Sequence, residues 1–202
     1  MRTNRRKTNP KVRSGKVLRK NRTELSRHYW QTSQDETVID RLRPGQGYRH
    51  YLTIADVRKF LEIVPNWDYH SQHLDAVILD DGGLNCMGWY NDGIIAVCAW
   101  ERELTIDWDT SFVLEHVSVL DRLGVETEPI EDDPEGTWCY FDEKSIKGFQ
   151  LMHIFLHELG HHVDRITTRS QKSPVRGEAF AETYALVEAE KLWDDYFQVF
   201  GW

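Results

Sequence analysis

What this sequence lacks narrows its class. No run of 18 or more apolar residues occurs, so no segment reads as a membrane span. Its basic start is not followed by the apolar stretch and small-residue cleavage site of a secretory signal, so export is not expected. Cysteine is sparse and odd in number (Cys86, Cys98 and Cys139), which excludes a disulfide framework and points to reduced thiols in a cytoplasmic setting. No internal repeat is present, and no linker divides the globular part. What is there suffices for a core: 40% of the 202 residues are hydrophobic, with eight each of Trp, Tyr and Phe. That length and composition fit one globular domain.

The net charge of −8 conceals two opposed segments. Residues 1–28 carry eleven Lys/Arg against one acid, Glu24, for a net +10, and hold few apolar residues to bury. They are expected to form a disordered basic arm. Such an arm can contact nucleic acid or an acidic partner, or be a solvated tail, since no aromatic residue interleaves its charges before Tyr29-Trp30. Residues 29–202 carry fourteen Lys/Arg against thirty-two acids, for a net −18, and form the single folded domain. An acidic body argues against a broad nucleic-acid-binding surface.

Local patterns place the elements. Thr53-Ile54-Ala55-Asp56 is a capping box that opens a helix, and Pro65 ends it. Ala76-Val77-Ile78-Leu79 reads as a short buried strand. Residues 86–90 and 94–100 flank Asn91-Asp92-Gly93, a hairpin signal. A second helix begins at Asp109 or Thr110 and covers residues 112–123, with Gly124 as its stop. An acidic loop over residues 126–136 follows. Residues 137–141 form a strand, which either lends a free edge to a cleft or sits as an ordinary strand in a sheet. A helix over about 142–168, a polar loop to Pro174, and a last helix from Glu178 to about Phe200 complete the chain. The pattern predicts an α+β fold, with a small, mostly antiparallel sheet packed against the last two helices.

The first of those two helices carries Leu156-His157-Glu158-Leu159-Gly160-His161-His162, an H-E-x-x-H sequence in an apolar run. Residues four apart on a helix lie about 40° apart around its axis and about 6 Å apart along it. His157 and His161 can therefore offer two imidazole nitrogens from one face to a single metal ion. Glu158 points roughly 100° away, and its carboxylate can reach a water on the open side of that ion. Zinc lowers the pKa of such a water toward neutrality, and a carboxylate is then basic enough to take the proton. The bland alternative is an amphipathic helix without metal, and a third ligand decides between the two.

Two completions fail by inspection. The H-E-x-x-H-x-x-G-x-x-H form needs glycine at 164 and histidine at 167, where the chain has Asp164 and Thr167. A cysteine ligand in a Glu-Gly-Cys-Leu setting is also missing, because Cys139 stands in Trp-Cys-Tyr. A glutamate on a following helix remains. Residues 178–185, Glu-Ala-Phe-Ala-Glu-Thr-Tyr-Ala, offer Glu178 and Glu182 one turn apart on the same face.

With His157, Glu158 and His161 followed by Glu178 in an E-x-x-A-E-x-Y-A pattern, the chain resembles the gluzincin metallopeptidases. That clan contains thermolysin and the catalytic domain of anthrax lethal factor. The resemblance implies a zincin-like core with one Zn2+ per chain held by His157, His161 and Glu178, and with Glu182 hydrogen-bonded to a ligand histidine. It implies a zinc-dependent endopeptidase acting on a peptide or protein, with Glu158 as general base. Small Ala179 and Ala181 suit two helices that must approach closely. The clan also uses a Tyr or His to stabilise the oxyanion. Ser170, Gln171 and Lys172 stand where a lethal-factor-like Tyr would precede the glutamate, which leaves Arg176, Tyr140 and His162 as candidates. The competing expectation is a degenerate zinc protein of the same fold that binds or regulates without turnover, reaching nucleic acid through its arm.

Neighbouring residues carry expectations of their own. His153, one turn before His157, is either a supporting contact or a core-edge histidine. His162 is expected at solvent or in the cleft. Asp164 either accepts the ring N–H of His161 or is a surface acid. His28, His50, His70, His73 and His116 show no metal spacing.

Overall fold

The computed structural model describes residues 12–13, 16–17, 28–83, 86–169 and 174–202. The chain divides into one unit over Met1–Ser33 and another over Gln34–Trp202. In the first, β1 (Val12–Arg13) pairs antiparallel with β2 (Lys16–Val17), and His28–Trp30 forms a 3₁₀ turn. The rest of the predicted basic arm lies outside the described residues.

The second unit is α+β and is organised on β5 (Ala76–Asp80) and β7 (Ile94–Cys98). These are the central strands of a four-stranded sheet in the order β3-β5-β7-β6, with β3 (Val38–Arg41) and β6 (Gly88–Asn91) outermost. Strands covered on both faces read as unbroken apolar runs rather than as alternation. Accordingly Ala76, Val77, Ile78 and Leu79, and all five residues of β7, are buried. The β3–β5 and β5–β7 pairings are parallel, and only β6–β7 is antiparallel. This sheet is therefore mixed, not mostly antiparallel. The hairpin signal reports one local pairing, whereas parallel neighbours are joined by crossovers that leave no local mark. The hairpin turns on Asp92 and Gly93, both at positive φ (41° and 87°), as a two-residue primed turn requires.

Helix α1 (Ile54–Leu61) begins at the expected box: Asp56 N–H donates to Thr53 Oγ1 at 3.1 Å, and Thr53 N–H donates to Asp56 Oδ2 at 2.8 Å. It is followed by the short α2 (Trp67–His70). A two-residue ladder joins β4 (Tyr48–Arg49) to β8 (Trp100–Glu101).

The acidic segment after residue 125 is not a loop. It forms β10 (Glu126–Ile130) and the first half of β11 (Asp133–Tyr140), paired antiparallel with β9 (Thr105–Asp109) in the order β10-β11-β9. Most of these residues are exposed, so their carboxylates keep their water and the charge does not oppose the ladder. Farther along β11, Thr137 and Cys139 are buried while Trp138 and Tyr140 are exposed, the two-residue alternation of a half-covered strand. β11 is paired on both sides, so the ordinary-strand reading of residues 137–141 is the right one.

The predicted helix over residues 112–123 is two helices, α3 (Thr110–Glu115) and α4 (Val117–Arg122), meeting at His116 with φ −106° and ψ 8°. The break accompanies a ring contact: His116 Nδ1 lies 2.7 Å from the Phe112 carbonyl oxygen.

The motif helix is one rod in three parts: α5 (Glu143–Phe149), a π-helical stretch over Gln150–Phe155, and α6 (Leu156–Thr167). A capping box between Asp142 and Ser145 starts it. Phe149, Leu151, Met152, Phe155, Leu156 and Leu159 are wholly buried, each worth about 1.5–3 kcal/mol of transfer free energy. α6 packs on β6, β7 and the last helix, α7 (Glu178–Phe200). No helix among the described residues is long and apolar enough to cross a membrane.

Candidate metal centre

The approach of α6 to α7 is set by small residues. A Cβ built on Gly160 would stand 2.8 Å from Ala181 Cα and 3.1 Å from its carbonyl oxygen. Ala181 and Ala185 are themselves wholly buried. Glycine inside an apolar helix was the available sign of this contact. Gly160→Ala gains helix propensity, about 1 kcal/mol, but overpacking against backbone costs about 1–3 kcal/mol. The expected result is a lower thermal midpoint. A raised midpoint would show that the two helices do not meet there.

Asp164 fixes where α7 begins. Its carboxylate is wholly buried and accepts from Val175 N–H at 2.8 Å, Arg176 N–H at 2.6 Å and Arg176 Nε–H at 2.8 Å. Burial alone would raise its pKa, but the Arg176 side chain and these backbone donors hold it below the usual carboxylate range. Gly177, at φ 72°, then turns the chain into Glu178. Neither reading from sequence, a partner for His161 or a surface acid, is what Asp164 does. Its partners lie more than ten residues away, and no local pattern reports them.

This scaffold brings His157, His161 and Glu178 together. Glu178 Oε2 lies 3.1 Å from His157 Nε2 and 3.4 Å from His161 Nε2. Two ligands at zinc–nitrogen or zinc–oxygen distance and tetrahedral angle are about 3.3 Å apart. Glu178 stands near that spacing from each histidine, and the three ligand atoms lie within 4.8 Å of one another. The other nitrogen of His157, Nδ1, lies 3.1 Å from Glu182 Oε2. An ionised carboxylate can only accept, so Nδ1 donates to Glu182 and Nε2 faces a second acceptor in Glu178. Against the lowering effect of burial, these two acids raise the pKa of His157, and an ion at Glu178 would take the place of the Nε2 proton. Burial would raise the pKa of Glu182, yet the His157 hydrogen bond and the nearby His153 and His116 hold it down. Glu178 thus faces the two Nε2 atoms and Glu182 faces Nδ1.

Glu158 is 7% exposed, and burial, opposed by His157 and reinforced by Glu178, pushes its pKa up to about 7. A Cβ on Gly88 of β6 would come within 2.9 Å of its Oε1, so the outermost strand of the sheet lies directly against this carboxylate. A cleft of about 500 Å³ runs along these groups, from Met87 and Gly88 past Glu158 and His157 to Glu178.

The three oxyanion candidates lie elsewhere. Arg176 pairs with Asp164 and lies over the Phe180 ring at 3.8 Å. Tyr140 donates its hydroxyl to Glu128 at 3.0 Å on the three-stranded sheet. His162 is wholly buried, not at solvent or in the cleft: its ring nitrogens meet Tyr90 OH at 3.2 Å and the Gln72 carbonyl at 3.0 Å, and burial pushes its pKa down to about 4. None of the three lines the cleft. Residues 170–172 lie outside the described residues.

Two further histidines reach the cleft: His153, singled out by its place one turn before His157, and His116, which has no metal spacing in the sequence. His116 and His153 are 4% and 5% exposed, with ring centroids 4.4 Å apart, and both line it beside Glu182. Cys86, Cys98 and Cys139 are free thiols. Comparison with models of protein families, with curated proteins and with solved structures finds no match to this chain.

Proposed function

We propose that this protein is a zinc-dependent metallopeptidase of gluzincin type, with a zincin-like core. The observation that carries the reading is the convergence of His157 Nε2, His161 Nε2 and Glu178 Oε2 at the spacing of a tetrahedral ion's ligands, with Glu158 buried in the same cleft. Zinc bound there would supply the charge that acidifies a water and polarises a peptide carbonyl. Glu158 accepts a proton in the cleft and returns it to the departing amine. Glu182 accepts from His157 Nδ1–H and so orients the ring, which would leave Nε2 to hold the zinc. β6, beside Glu158, offers main-chain groups to an extended peptide.

A second reading is a zinc-binding protein of the same fold without turnover. It is favoured by the placement of Arg176, Tyr140 and His162 away from the cleft. Elemental analysis and a peptide-library cleavage assay, each with and without chelator, separate the readings. Stoichiometric zinc with chelator-sensitive cleavage is expected. Stoichiometric zinc without cleavage would favour the binding protein, and absence of zinc would remove both.

A further inference from the structure

His116, His153 and Glu182 reach one point from three separate elements: the break between α3 and α4, the π-helical stretch, and the second turn of α7. His116 Nε2 is 3.6 Å from Glu182 Oε1, and His153 Nε2 is 3.8 Å from Glu182 Oε2. These spacings are too long for direct hydrogen bonds, and short for anything larger than a single atom between the groups. His116 Nδ1 meets the Phe112 carbonyl oxygen, which can only accept, so that nitrogen donates and Nε2 is the ring atom turned toward Glu182.

Polar atoms here are also short of partners. Glu182 Oε1 and His153 Nδ1 are buried with no hydrogen-bond partner among the described residues, in a protein interior where such atoms are normally satisfied. The nitrogen and oxygen atoms of the three side chains lie close enough to hold one ion. His116 faces one oxygen of Glu182 and His153 the other, so the two imidazoles flank the carboxylate, and one ligand atom from each residue lies within 4.8 Å of the others. Two imidazoles and a carboxylate suit zinc, cobalt or a similar divalent transition metal.

We propose that His116, His153 and Glu182 form a second divalent-metal site beside the one at His157, His161 and Glu178, with Glu182 shared between them. One oxygen of Glu182 accepts the His157 Nδ1–H while the carboxylate serves the second ion, so the two sites are joined through a single side chain. Both open on the same cleft, which gives the second ion a path in.

The full chain, stripped with chelator and titrated with Zn2+ and separately with Co2+, is expected to bind two equivalents. His116→Ala and His153→Ala are each expected to bind one, and so is His157→Ala, whose remaining equivalent marks the second site directly. Saturation of the unaltered chain at one equivalent that His157→Ala loses would overturn the proposal. Anomalous diffraction at the zinc edge gives the position independently. A peak between His116, His153 and Glu182 is expected, and a solvent peak there without anomalous signal would show that water, not metal, bridges the groups. Loss of only the equivalent at His157 would count against the proposed peptidase and leave the second site standing.

Discussion

Glu158→Gln is expected to retain zinc and to lose peptide cleavage by about 10² or more. Glutamine keeps the length and shape of the side chain, so the buried position against Gly88 remains filled. What disappears is the ability to hold a proton and hand it on. The proposed ligand atoms belong to His157, His161 and Glu178, and none of them is altered. The loss should therefore fall on kcat more than on KM, with metal content unchanged by elemental analysis. Cleavage at the unaltered rate would remove Glu158 from the mechanism. Loss of zinc in the same variant would instead make Glu158 part of the metal's support.

Glu178→Gln and Glu182→Gln are expected to separate cleanly, although the two glutamates are one turn apart on α7. Glu178 faces the Nε2 atoms of both histidines, so its loss would leave the proposed ion two imidazoles and no carboxylate. That variant is expected to purify largely without metal at this site. Glu182 faces His157 Nδ1, where it fixes the ring and strengthens it as a donor. Its loss is expected to weaken zinc by roughly 10–100-fold while leaving the site fillable at high zinc. Chelator competition ranks the two variants. The reverse ranking would assign the ligand role to Glu182. Because Glu182 also faces His116 and His153, its variant is further expected to lose the second equivalent proposed above.

The amino-acid sequence alone determined the features whose causes are local. The H-E-x-x-H spacing on a helix, the capping box at Thr53, the Asp92-Gly93 turn and the bounds of α7 each follow from residues within a few positions of one another. So do the buried strands β5 and β7, because a strand covered on both faces must be apolar at every position. The mutual approach of His157, His161 and Glu178 was legible for a related reason: two of these candidate ligands share one helix and the third opens the next.

Only the tertiary structure decided the rest. The parallel pairing of β3, β5 and β7 depends on crossovers, which leave no periodicity behind. The acidic segment over residues 126–136 reads as a loop by composition, yet forms exposed strands because solvent already satisfies its charges. Asp164 reads as a helix-end acid, and only the fold turns Val175 and Arg176 back onto its carboxylate. His162 stands next to a candidate ligand in sequence, but the helix turns it into the core against Tyr90 and Gln72. His116 is forty-one residues before His157, in a segment with no metal spacing, and a helix break brings its ring against His153. Periodicity shows which face of an element a residue occupies. What that face meets is fixed by the packing of distant segments, and it is there that His116, His153 and Glu182 come together.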